Sequence, residues 1–187
     1  LGGYATMLSM VGSLTEKQRE FVTKILGSVD SMSQLVDNLL DLGRIEAGVG
    51  LSLEQVRVET VIRDVVGSHR AQAIGKQIAL EVEMAEGMEP IEADPTLLRQ
   101  AVSNLLDNAV KYTAPGGRVN LWAGQARGRQ RISISDTGTG IAPADQARLF
   151  EKFARSRRKE GGGDHAPGLG LASIKSIVDQ HGGRVTV

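Results

Sequence analysis

Between Thr15 and about Ala47 the apolar residues Val22, Ile25, Val29, Met32, Val36 and Leu39 recur at steps of 3, 4, 3, 4 and 3. That period is the a/d seam of one long α-helix, and it commits this stretch to helix-on-helix packing. Leu35, Leu40 and Leu42 widen the seam, as a bundle of more than two helices requires. Thr15-Glu16-Lys17-Gln18 reads as a capping box at its start, and Gly48 and Gly50 end it. Tyr4, Met7, Leu8 and Val11 read as the end of an earlier helix, joined through the short turn Gly12-Ser13-Leu14. Residues 1–48 are therefore expected to form an antiparallel helical hairpin, one half of a dimeric four-helix bundle. An ordinary helical pair packed on the rest of the chain is the plainer alternative.

From Leu51 the period changes. Leu51-Ser52-Leu53 and Ile78 to Met84 alternate as strands, and Val58 to Ala73 between them reads as a helix ended by Gly75. Asp94-Pro95 opens a second helix running to about Tyr112, with proline in its first turn. Val119 to Ala123 and Arg131 to Ser135 read as a strand pair joined by the turn-like Ala126 to Arg129. A short helix from Ala144 to Phe150, a glycine-rich loop, a helix from Leu169 to Gln180 and a strand at Arg184 to Val187 complete the pattern. Residues 49–187 are thus expected to be an α+β unit, a two-layer α/β sandwich with a mixed sheet and its helices on one face.

Composition narrows the function classes. The 22 basic and 22 acidic side chains cancel, so no field exists to hold a nucleic-acid backbone or an anionic membrane. With no cysteine there is no disulfide, thiolate metal site or cysteine nucleophile, and aromatics at 3% offer no base-stacking platform. Neither nucleic acid nor direct membrane contact is expected. The chain begins at Leu1 with no visible targeting segment and stops inside a strand-like run, so it reads as a fragment of a longer protein.

The helix from Pro95 to Tyr112 is expected to bury Leu98, Val102, Leu105 and Ala109, and it carries Asn104, Asn108 and Lys111 on another face. Two carboxamides and an ammonium on one face can offer oxygen to a cation and positive charge to phosphates. Mg²⁺ takes few protein ligands when phosphates supply the others, so a neutral asparagine oxygen suffices. A solvated asparagine face would show the same spacing. Asp136-Thr137-Gly138-Thr139-Gly140 places an acid at a strand end before two glycines, where it can accept from an exocyclic amine such as that of adenine. A tight Asx-type turn would look alike. After Phe150-Glu151-Lys152-Phe153, the stretch from Arg155 to Asp164 fits either a solvated loop or a lid with Arg155 reaching phosphate. Gly168-Leu169-Gly170-Leu171 then opens a helix, whose backbone N–H groups suit an anion.

In this order the pieces resemble the catalytic core of a sensor histidine kinase. Asn104 to Thr113 looks like that family's N box, Asp136 to Gly140 its G1 box, Phe150 to Phe153 its F box and Gly168 to Leu171 its G2 box. Leu39 to Gly48 is similar to the end of the family's dimerisation helix. The resemblance implies a Bergerat-type fold binding ATP and Mg²⁺. Asn108 would hold Mg²⁺, with Asn104 and Lys111 on the phosphates as the other two catalytic positions. Asp136 would accept from the adenine amino group, and Tyr112 would border the nucleotide. Gly138 and Gly140 would give the base room, and Gly168 and Gly170 would lie along the phosphate chain. Ile141, Phe153, Arg155, Leu169 and Leu171 complete the implied nucleotide-binding set. Ala166-Pro167 departs from the small residues usual before the last box, and the proline removes a backbone donor there.

The family's phosphoacceptor lies in a box of His, an acid and a Thr-Pro step. His69, His165 and His181 all lack those neighbours, so no phosphoacceptor is assigned in this chain and the fragment is expected not to phosphorylate itself. His69, between Ser68 and Arg70, is expected to be solvated. The implied partners are a second copy through the hairpin and the receiver domain of a response regulator, in the cytoplasm where ATP is; the parent could be membrane-tethered. Two alternatives stand beside the kinase: a nucleotide-binding dimerisation module of a degenerate kinase, and an ATPase of the same fold. Asn104 weighs against the ATPase, because a carboxamide does not take a proton from water at neutral pH.

Overall fold

A computed structural model of the chain describes residues 14–46, 50–126, 129–151 and 170–187, together with Met7. Helix α1 (Glu16–Glu46) starts where the capping box predicts. The Thr15 hydroxyl accepts from the Gln18 N–H at 3.3 Å, and the Gln18 side chain accepts from the Thr15 N–H at 2.9 Å. The apolar seam divides: Val22 is buried and Val29 half-buried, while Ile25, Met32 and Val36 are exposed. The predicted first arm of the hairpin, apart from Met7, lies outside the described residues.

The remaining elements are β1 (Glu54–Val56), α2 (Val58–Gly75), β2 (Ala79–Met84), β3 (Ile91–Ala93), α3 (Pro95–Tyr112), β4 (Arg118–Ala126), β5 (Arg129–Asp136), α4 (Pro143–Gln146) and α5 (Gly170–Gln180). Strands β2, β4 and β5 form one sheet in that order, β2 parallel and β5 antiparallel to β4. The sheet is mixed, as the sequence predicts. A separate short ladder pairs β1 with β3, Glu54 opposite Ala93. The first strand lies at Glu54–Val56 rather than at Leu51-Ser52-Leu53, because only the later residues find a partner. Arg184 to Val187 form no strand: alternation supplies the side-chain pattern, but a strand exists only where its backbone is paired.

Alternate residues of each strand face the helices. Val119, Leu121 and Ala123 of β4 are buried together with Val61, Ile62 and Val65 of α2 and Val102, Leu106 and Val110 of α3. Leu80, Val82, Ile132 and Ile134 complete that face from the flanking strands. Helix α3 touches α2, β5 and α5, and α1 also contacts α5. This central position alters the predicted stripe of α3. Ala101, Val102, Leu106, Ala109 and Val110 are buried, whereas Leu98 and Leu105 are half-buried, since neighbours cover the helix on more than one side. His69 also departs from expectation. It is 7% exposed, on the buried stripe of α2 with Val58, Ile62, Val65 and Ala73. The helical period places it there, and its polar neighbours Ser68 and Arg70 point elsewhere on the helix.

Candidate functional site

Helix α3 is anchored at its first turn. Asp94 Oδ1 accepts from the N–H groups of Thr96 and Leu97 at 3.0 and 3.1 Å, and Pro95 follows with no N–H to satisfy. From that fixed start the 3.6 period carries Asn104, Asn108 and Lys111 onto one face, where all three are half-buried. A merely solvated asparagine face would be open. Asn104 Nδ2 is buried and has no hydrogen-bond partner among the described residues. Such a donor costs about 1–3 kcal/mol when nothing receives it, so its position calls for an acceptor.

Strand β5 delivers Asp136 to the same end of the molecule, since β5 packs on α3. Asp136 is exposed, and its Oδ1 accepts from the Gly138 N–H at 2.8 Å, which folds the following loop into an Asx turn. Gly138 lies against the end of α3. A Cβ there would stand 2.5 Å from the Tyr112 carbonyl oxygen and 2.7 Å from Asp136 Oδ1. The protein's own packing therefore requires a glycine at Gly138. Gly140 has φ +65° with open space beside it, a conformation that favours glycine.

Tyr112 and Ile141 expose apolar surface beside this loop, and the Lys111 ammonium lies 5.9 Å from the Tyr112 ring centroid. Gly170 and Leu171 open α5, which packs on α3. Helix α4, Pro143–Gln146, starts one residue before the helix expected over Ala144 to Phe150 and ends four residues short of it. Phe153, Arg155, Gly168 and Leu169 lie outside the described residues. The arrangement joins a buried amide donor, a cationic side chain, an exposed carboxylate and apolar ring surface at the C-terminal part of one helix. Those groups suit a ligand with a flat polar base at one end and anionic charge at the other.

Two connections escaped the sequence reading. His69 Nε2 lies 3.0 Å from Asp107 Oδ1, so α2 grips the middle of the asparagine-bearing helix. The Asp107 carboxylate holds this imidazole above its ordinary pKa; burial opposes that, and the Val65 carbonyl adds to it. The second is Asp94. Its N–H donates to His181 Nε2 at 2.9 Å, and its Oδ2 accepts from the Ser52 N–H at 3.1 Å. The helical register of α2 is the signal that could have found His69. Nothing local marks His181, whose partner lies 87 residues away.

Comparison with known proteins identifies the family. The family described as "Histidine kinase-, DNA gyrase B-, and HSP90-like ATPase" matches residues 93–187, and "His Kinase A (phospho-acceptor) domain" matches residues 1–48. The solved structure of the mycobacterial sensor histidine kinase MprB superposes with TM-score 0.58 at 34% identity, covering 70% of this chain and 80% of that one. The chain belongs to the sensor histidine kinases. Full-length ShkA, solved in complex with AMPPNP, superposes with TM-score 0.71 at 34% identity over 95% of this chain and 37% of that one. The circadian input-output histidine kinase CikA of Synechococcus elongatus is 36% identical over 194 residues, 100% of this chain and 25% of that protein. The chain thus spans only part of its curated relatives, 25% of CikA and 23% of the sensor protein DivL of Caulobacter vibrioides. Among the described residues no helix is long and apolar enough to cross a membrane.

Proposed function

We propose that this chain is the ATP-binding catalytic core of a histidine kinase, which transfers the γ-phosphoryl group of ATP to a histidine and thence to an aspartate of a response regulator. The observation that carries this reading is the buried Asn104 Nδ2, without a hydrogen-bond partner among the described residues, on the half-buried face shared with Asn108 and Lys111. Asn104 orients the phosphates, Lys111 neutralises them, and the exposed Asp136 carboxylate receives the adenine amino group. Tyr112 and Ile141 border the base. Phe153 and Arg155 belong to the same proposed nucleotide-binding set.

Mg²⁺ fits the donors present. Among the described residues no group of three His, Asp or Glu side chains gathers, so the Asn108 oxygen would be one ligand beside phosphate and water oxygens. The ion would neutralise charge on the transferring group. Transfer to a neutral imidazole depends mainly on positioning and charge stabilisation, which an asparagine at position 104 does not hinder. Hydrolysis needs water activation, and Asn104 does not provide it. Residues 1–48 form the dimerising hairpin and 49–187 the nucleotide-binding unit, which works in the cytoplasm where ATP is available.

A thermal-unfolding titration with ATP, with and without Mg²⁺, on this chain and on Asp136→Asn tests the reading. At about 100 times its dissociation constant a ligand adds ~2.7 kcal/mol. The expected result is a rise of several degrees that depends on Mg²⁺ and shrinks in the variant. No shift at millimolar nucleotide would refute it.

A further inference from the structure

The C-terminal end of α3 is held by the residue that follows another helix, α2. An α-helix leaves its last four carbonyls without intrahelical partners. Here the Ala109 carbonyl accepts from the Thr113 N–H at 3.1 Å and from the Thr113 hydroxyl at 2.7 Å. The Val110 and Lys111 carbonyls both accept from the Lys76 ammonium, at 2.7 and 2.5 Å. The Tyr112 carbonyl faces Gly138. We infer that Lys76 is a positioning residue for the nucleotide site, acting through the main chain of Val110 and Lys111; this rests on the nucleotide-binding reading above.

Lys76 is itself held in place. It follows the last turn of α2, where its N–H donates to the Gln72 carbonyl at 3.0 Å. Gln77 then takes φ +57°, and the Ile78 N–H returns to the Ala73 carbonyl at 2.8 Å. The turn after α2 is also joined to the turn after α3. The Gly116 N–H donates to the Gln77 carbonyl at 2.9 Å, and the Ala79 N–H donates to the Gly117 carbonyl at 3.0 Å. Lys76 is half-buried, so its charge meets the negative end of α3 with reduced screening by water.

The last turn of α3 carries Lys111 and Tyr112 and also supports the G1 loop at Gly138. Without the ammonium, two part-buried carbonyls lose their donor, and the turn must loosen to reach water. That moves both walls of the nucleotide site together. Global stability alone does not predict such an effect on binding, which separates positioning from ordinary packing.

The test is calorimetric titration of ADP with Mg²⁺ into the wild-type chain, Lys76→Met, Lys76→Gln, Lys76→Arg and a stability control, Ile62→Val. All are measured at a temperature where circular dichroism shows each one folded. Lys76→Met and Lys76→Gln should weaken binding about tenfold, and Lys76→Arg should recover most of it. Ile62→Val should lower Tm and leave affinity unchanged. Methionine and glutamine variants that bind within about twofold of wild type would overturn the inference. If Lys76→Met does not fold, the glutamine–arginine contrast decides the matter alone. A wild-type chain that binds no ADP would overturn the nucleotide site itself, and this inference with it.

Discussion

The His69 imidazole has an acceptor at each nitrogen. Nδ1 lies 2.7 Å from the Val65 carbonyl oxygen and Nε2 lies 3.0 Å from Asp107 Oδ1. A carbonyl and a carboxylate only accept, so both contacts are satisfied by the doubly protonated ring. Its raised pKa agrees with that geometry. The stabilisation is fully present below the ordinary value of 6.5 and is lost as pH rises through the higher folded-state value. Urea unfolding followed across this range should show stability falling with rising pH in the wild type, with that slope reduced in His69→Leu. Equal slopes in the two proteins would contradict the imidazolium assignment. Gly138 makes a prediction of a different kind. Its neighbours at 2.5 and 2.7 Å are a backbone carbonyl and a carboxylate already engaged in the turn. Gly138→Ala should therefore cost about 1–3 kcal/mol and weaken nucleotide binding, read by the same ATP titration. Unchanged Tm and affinity would mean that the loop does not lean on Tyr112.

Asp94 ties three elements. It caps α3 through Oδ1, receives the Ser52 N–H ahead of β1 on Oδ2, and donates its own N–H to His181 at the end of α5. The His181 Nδ1–H donates to the Ile177 carbonyl at 2.7 Å, which leaves Nε2 as the acceptor and fixes the neutral tautomer. Asp94→Ala removes the cap and the Ser52 contact, and should destabilise by about 1–2 kcal/mol. For a domain of this size that is roughly 2–8 °C in Tm. Nucleotide affinity measured well below Tm should change little, because the cap is at the opposite end of α3 from Tyr112. The element scale also shows why the boundary of β1 shifted. Apolar alternation at Leu51 to Leu53 has no pairing partner, whereas Glu54–Val56 meets Ile91–Ala93.

For the whole molecule, the core gathers where α2 and α3 cover the sheet, and Leu106 at 0% exposure is among its largest fully buried side chains. Leu106→Ala should cost about 2–5 kcal/mol, measured by equilibrium unfolding. A loss under ~1 kcal/mol would mean that the site can collapse around the smaller residue. Ile25, Met32 and Val36 leave an apolar stripe open along α1. The proposed dimer covers it, so sedimentation across a concentration series should show association that Ile25→Lys abolishes. A monomer at all concentrations would count against the seam.

Local chemistry was legible in the residues alone. The 3.6 and 2.0 periods, the Thr15 box, the Asp94-Pro95 helix start and the Asn104–Asn108–Lys111 face are set by neighbours a few positions apart, and sequence displays such relations directly. The motif spacing also pointed to the family. Tertiary structure decided what depends on distant partners. It placed His69 against Asp107, His181 beneath Asp94 and Lys76 at the end of α3, contacts spanning 38, 87 and 34 to 35 residues of chain. It also gave Gly138 a packing role and enclosed α3 on several sides. A side chain's burial and its hydrogen-bond partner are properties of the assembled layers. Until those layers meet, a polar residue that faces water and one that braces a helix carry the same letter.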